Sequence, residues 1–237
     1  MEVLGRAVGL AVEARDAFWS NAENRNQRLR PLVAASVGPY GAYQADGSEY
    51  TGAYGLSDDE LLGFHRGRWR VLAESGADLM GCETVPSLQE AEVLLELLRR
   101  TSDQWAWMSF ACRDGSHLSD GTPLAAAARM CDAGARVAAV GINCTAPQHV
   151  SELISVIRNA TDKPIIAYPN AGGRYDAERI TWKGDVPRHD WPALVAEWRD
   201  RGASVIGGCC RVAPTDISRN CLLYTSDAAD EGLGVDL

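Results

Sequence analysis

Val137-Ala-Ala-Val-Gly-Ile-Asn-Cys144 is an apolar run without polar alternation, and Pro164-Ile-Ile-Ala-Tyr168 is another. Runs of this kind predict strands covered on both faces, as in a parallel sheet. Pro147 to Ala160, between them, reads as a helix opened by proline. Strand, helix and strand in this order make a βαβ unit, and the rest of the chain repeats it.

Working outward, Val3 to Trp19 reads as a helix, Pro31 to Val37 as a buried strand, and Gly38 to Leu56 as a loop rich in Gly and Tyr. Ser57-Asp-Asp-Glu60 is a capping box for a helix running to about Ser75. Ala77 to Val85 is a predicted strand, and Ser87 caps a helix over Leu88 to Arg100. Trp105 to Cys112 reads as a strand and Pro123 to Ala133 as a helix ended by Gly134. Trp191 to Arg201 reads as a helix ended by Gly202, Ser204 to Cys209 as a strand, and Pro214 as the opening of a last helix. Six strands flanked by helices fit either a doubly wound sheet or a (β/α)8 barrel. Glu83, Cys144, Cys209 and Cys210 fall at C-terminal strand ends, where both architectures place their ligands. No G-x-G-x-x-G or P-loop follows a strand, which removes the usual nucleotide reading.

The 237 residues are 46% apolar and 23% charged, as in an ordinary globular protein. A net charge of −9 argues against nucleic-acid binding. No apolar run reaches the roughly 18 to 20 residues of a membrane span. Met1-Glu2 and the mixed segment after it do not read as a secretory signal. The seven cysteines, at 82, 112, 131, 144, 209, 210 and 221, are an odd number that includes a vicinal pair. That pattern is not a disulfide framework and predicts a reducing compartment, the cytoplasm.

Both ends look unlike parts of a complete barrel. A closed barrel has eight strands in roughly 250 residues, so six strands leave two βα units short, and the chain opens on a helix. The expectation is an incomplete (β/α)8 TIM barrel over residues 1–220 whose first two units are missing. Cys221-Leu-Leu-Tyr-Thr-Ser-Asp-Ala-Ala-Asp-Glu231 resembles a translated sequencing adapter, so residues 221–237 are expected to be a non-native tail. Removing its four acids from a net charge of −9 leaves −5.

The chemistry gathers in two motifs, Gly141-Ile-Asn-Cys144 and, two strands later, Gly207-Gly-Cys-Cys210. Three thiolates make a soft donor set that suits zinc and leaves one coordination position open. Either motif alone is as well explained by small buried thiols; together they are specific.

These motifs, over residues 1 to about 219, resemble the zinc-dependent homocysteine S-methyltransferases. That family includes betaine-dependent enzymes and the homocysteine-binding module of methionine synthase. Ser36-Val-Gly-Pro-Tyr-Gly-Ala-Tyr-Gln-Ala-Asp-Gly-Ser-Glu-Tyr50, Leu118-Ser-Asp-Gly-Thr-Pro123, Tyr168-Pro-Asn170 and the loop through Tyr175 and Trp182 are similar to the members using S-methylmethionine or S-adenosylmethionine. The resemblance implies a (β/α)8 barrel, a Zn2+ cofactor on Cys144, Cys209 and Cys210, and Glu83 holding the homocysteine ammonium. It further implies methyl transfer from a sulfonium donor to homocysteine, giving methionine, with no catalytic side chain beyond the activated substrate thiolate. A betaine-type enzyme and a zinc-binding barrel fragment without turnover are the alternatives. Family members also carry an Asp-Gly-rich first strand that helps hold homocysteine, and no counterpart stands here. Glu83 read alone has a competing reading as a cap of the next helix; Cys82, Cys112 and Cys131 read as core; Trp182 is a candidate to line the site. None of His65, His117, His149 and His189 sits at zinc spacing from a cysteine.

Overall fold

The computed structural model describes residues 2–26, 28–179 and 181–219. The predicted tail, 221–237, lies outside them. Six strands form one parallel sheet: β1 (Ala34–Val37), β2 (Leu79–Val85), β3 (Ala106–Phe110), β4 (Val137–Asn143), β5 (Ile165–Tyr168) and β8 (Ala203–Ile206). Their spatial order, β1-β2-β3-β4-β5-β8, follows the chain without reversal. A doubly wound sheet reverses at a switch point, whereas a barrel wall is wound in one direction. The observed order therefore selects the (β/α)8 type, with six of its strands in this sheet.

The helices are α1 (Glu2–Ser20), α3 (Asp58–Ala73), α4 (Leu88–Arg100), α5 (Leu124–Asp132), α6 (Pro147–Arg158) and α7 (Trp191–Asp200), and residues 214–219 are helical. Ser57 caps α3 through the full reciprocal box with Glu60, and Ser87 caps α4. On α6, Val150, Leu153, Ile154 and Ile157 are all fully buried at helical spacing. They join Phe110, Val140, Ile142 and Ile165 in a single core cluster.

Two segments read as loops contain structure. Residues 38–56 hold a short helix, α2 (Tyr40–Gln44), and a 3-10 turn, Ser48–Tyr50. Gly41 lets these pack on each other, since a Cβ there would lie 2.3 Å from the Glu49 nitrogen. The segment after β5 forms an antiparallel hairpin, β6 (Arg174–Asp176) with β7 (Thr181–Lys183), that pairs with no strand of the main sheet. The last strand also ends at Ile206, short of the predicted Cys209, so both C-terminal thiols stand on the turn beyond the ladder.

Candidate active site

Register places the site. Asn143 at the end of β4 lies opposite Tyr168 at the end of β5, and Gly141 lies opposite Ile166. Residue 141 must be glycine there, because a Cβ would fall 1.7 Å from the Ile166 carbonyl oxygen. Cys144 follows immediately with φ +49, a left-handed backbone that swings its thiol off the strand axis. Its N–H donates to the Tyr168 carbonyl, and the Asn170 amide donates to its carbonyl. Beyond β8, the Cys209 N–H donates to Pro169 O while Cys210 O accepts from Ala171 N–H. One short segment thus braces both thiol-bearing turns.

The result brings together all three predicted thiols. Cys144 Sγ lies 3.0 Å from Cys209 Sγ and 3.3 Å from Cys210 Sγ, with 3.9 Å between the vicinal pair. Among the described residues this is the group of metal-ligating side chains that converges. Contact with Cys144 and Cys209 pushes the Cys210 thiol down to about 3, and contact with Cys209 and Cys210, then burial, pushes Cys144 up. One sulfur holds the negative charge and its neighbour keeps its proton, because thiolates this close repel one another. Tetrahedral Zn–S bonds of about 2.3 Å separate sulfurs by about 3.8 Å. One of the three spacings is already at that value and two are shorter, so the donor set fits a soft divalent ion.

Glu83 stands where the β2–β3 register shifts, between Cys82 and Val85. Such an irregularity re-aims a side chain. The shift is held by Thr84, at φ +60, and by buried Asn143. Thr84 N–H donates to Asn143 Oδ1, and Asn143 Nδ2 donates to Thr84 Oγ1, both at 2.7 Å. Glu83 accepts from Ser36 Oγ at 2.5 Å and from Tyr168 Oη at 3.1 Å. Tyr168 in turn accepts from Trp107 Nε1, and burial, then the Glu83 charge, keeps its phenol protonated. No cation among the described residues pairs with Glu83. The sequence reading missed Asn143 as the link between Glu83 and the thiols, although it stands inside the G-I-N-C motif.

A cavity of about 680 Å³ opens beside Cys144, walled by Tyr50, Asn170, Tyr175, Asp176, Trp182 and Lys183. It includes Trp182, as predicted, and leaves out Glu83. Tyr50 and Tyr175 have ring centroids 5.8 Å apart, and Tyr175 and Trp182 5.7 Å. Tyr50 Oη lies 3.9 Å from Cys144 Sγ, and burial and the neighbouring thiols keep it protonated. Arg211, directly after Cys210, donates to Gly172 O and Gly184 O, tying the thiol turn to the hairpin. Cys82 and Cys131 are buried in the core, as expected, and Cys112 is partly exposed against it. His65 contacts Glu90, and His117 contacts Asp114.

The homocysteine S-methyltransferase family model matches residues 1–221. The chain belongs to this family. It is 50% identical over 211 residues to homocysteine S-methyltransferase YbgG of Bacillus subtilis, covering 89% of this chain and 67% of that protein. It is 46% identical over 224 residues to homocysteine S-methyltransferase 4 of Zea mays, covering 91% and 66%. Among solved structures, the metallated form of the homocysteine methyltransferase MmuM from Escherichia coli superposes with a TM-score of 0.82 at 39% identity, covering 94% of this chain and 70% of that one. The chain therefore spans about two thirds of the length of the family members it matches.

Proposed function

We propose that this chain carries the metal and homocysteine sites of a sulfonium-dependent homocysteine S-methyltransferase. Zn2+ would be held by Cys144, Cys209 and Cys210, and its role is to keep a bound thiol ionised near neutral pH. Glu83 takes the homocysteine ammonium, with Ser36 and Tyr168 fixing the carboxylate's direction. The homocysteine thiolate attacks the methyl carbon of S-methylmethionine or S-adenosylmethionine in line. The new S–CH3 bond forms as the sulfonium S–C bond breaks, and a neutral thioether leaves, so no general acid is required. Rings of Tyr50, Tyr175 and Trp182 near Cys144 suit a donor that carries positive charge. The convergence of three sulfurs within 3.9 Å carries this reading.

Residues 1–220 are read as the barrel domain and 221–237 as a non-native tail. The odd number of cysteines and the vicinal Cys209-Cys210 pair support a reducing compartment such as the cytoplasm. Among the described residues no helix is long and apolar enough to cross a membrane. The test is methionine formation from homocysteine with S-methylmethionine, S-adenosylmethionine or betaine, alongside zinc content. Turnover with either sulfonium and not with betaine would support this reading; turnover with betaine alone would replace it with the betaine-type one. Zinc without turnover would leave a zinc-binding barrel fragment.

A further inference from the structure

We propose that Glu90 is a positioning residue: from inside the core it clamps both ends of the 38–56 loop and so holds Tyr50 over Cys144. Glu90 and its partner His65 are both fully buried, with His65 Nε2 2.8 Å from Glu90 Oε1. The same oxygen accepts the Tyr40 backbone N–H at 2.6 Å, and Oε2 accepts Tyr54 Oη at 3.1 Å. Both carboxylate oxygens are thus taken by the loop, one at each end. The surrounding face of α4 is apolar, with Ala91, Leu94, Leu97 and Leu98 buried beside Glu90. A leucine there would satisfy packing, and an isolated buried carboxylate is costly. What the charge adds is hold on the loop.

Between its ends the loop is one packed piece. Gly41 lies against the backbone of Ser48 and Glu49, and the Gly52 N–H donates to Ser48 O at 2.8 Å. The Tyr40 ring meets Tyr54 at 5.2 Å and Phe64 at 4.9 Å. Slack at Glu90 therefore reaches Tyr50, whose hydroxyl lies on the Cys144 sulfur and whose ring walls the cavity.

Site-resolved alkylation of the metal-free full chain tests this independently of methyl transfer, on which the proposal rests only for its kinetic consequence. Tyr54→Phe removes one clamp hydroxyl, and Glu90→Leu removes the clamp. Losing one hydrogen bond to a charged acceptor should raise the Cys144 alkylation rate roughly tenfold in Tyr54→Phe, and more in Glu90→Leu. The core thiols Cys82 and Cys131 stay protected in a folded chain. An unchanged Cys144 rate in a variant that still protects Cys82 and Cys131 overturns the proposal; should Glu90→Leu expose them, Tyr54→Phe decides. With zinc and homocysteine present, Tyr54→Phe should raise KM for the sulfonium donor and leave KM for homocysteine unchanged. An equal rise in both would also overturn it.

Discussion

Replacing Glu83 by glutamine removes one charge and little volume from the site. In the folded chain this carboxylate has two hydroxyl donors and no cationic partner among the described residues. Its charge is therefore available to an incoming ammonium. Truncating one side of a buried, hydrogen-bonded charge pair costs about 2 to 5 kcal/mol. Glu83 is only partly buried, and solvent screening moves the expectation to the lower end, about 2 to 3 kcal/mol. That is roughly a 30- to 150-fold rise in the homocysteine Kd. Titration calorimetry on zinc-loaded protein measures it, with metal content determined on the same sample. Zinc stoichiometry should not change, because Glu83 touches none of the three sulfurs. An affinity within a factor of about three of the parent, at equal zinc, would refute the pairing and return Glu83 to a structural role.

Cys144→Ala should lower zinc below one per chain by elemental analysis, since it removes the sulfur that contacts both others; undiminished zinc would exclude Cys144 as a ligand. Asn143→Ala strands the Thr84 N–H and should cost about 1 to 3 kcal/mol in urea unfolding while also weakening homocysteine binding. Stripping the metal with a chelator should let a mild oxidant consume two of the three clustered thiols, and added zinc should slow this; a thiol titration follows it. Backbone N–H groups of Ser116 and His117 hold the Asp114 carboxyl below its ordinary range. A depressed carboxyl stabilises the fold above its unfolded pKa, and that contribution is lost as pH falls. The gap in Tm between parent and Asp114→Ala should therefore narrow as pH falls below about 4; a gap that widens in acid would contradict it.

The core elements were legible because their signals are local. Ser57 with Glu60, Ser87, Gly134 and Gly202 mark helix ends by their own chemistry, and the apolar runs leave no alternative to buried strands. Periodicity alone left barrel and doubly wound sheet open, since the choice depends on strand order; the resemblance carried by the G-I-N-C and G-G-C-C motifs pointed to the barrel, and the observed order agrees. The thiols were found because Cys144 and the 209–210 pair sit in glycine-marked motifs. Asn143 escaped as a brace because its partner, Thr84, is 59 residues away and has a left-handed backbone that no local pattern announces. The β6–β7 hairpin escaped for another reason. Its strands have three residues each, too short for a period of two to appear, and their aromatic side chains read equally well as loop.

That hairpin shares no ladder with the sheet that presents the thiols, and the Tyr50 turn shares none either. The thiol side of the site is written into strand register, where Gly141 and Asn143 tolerate little exchange. The opposite wall is written into two appendages whose backbones join no ladder of that sheet. A lineage can therefore retune the bulk and charge of that wall through residues 46–50, 175–178 and 182–183 without moving a strand of the sheet, so that the two sides of the cavity diversify at different speeds.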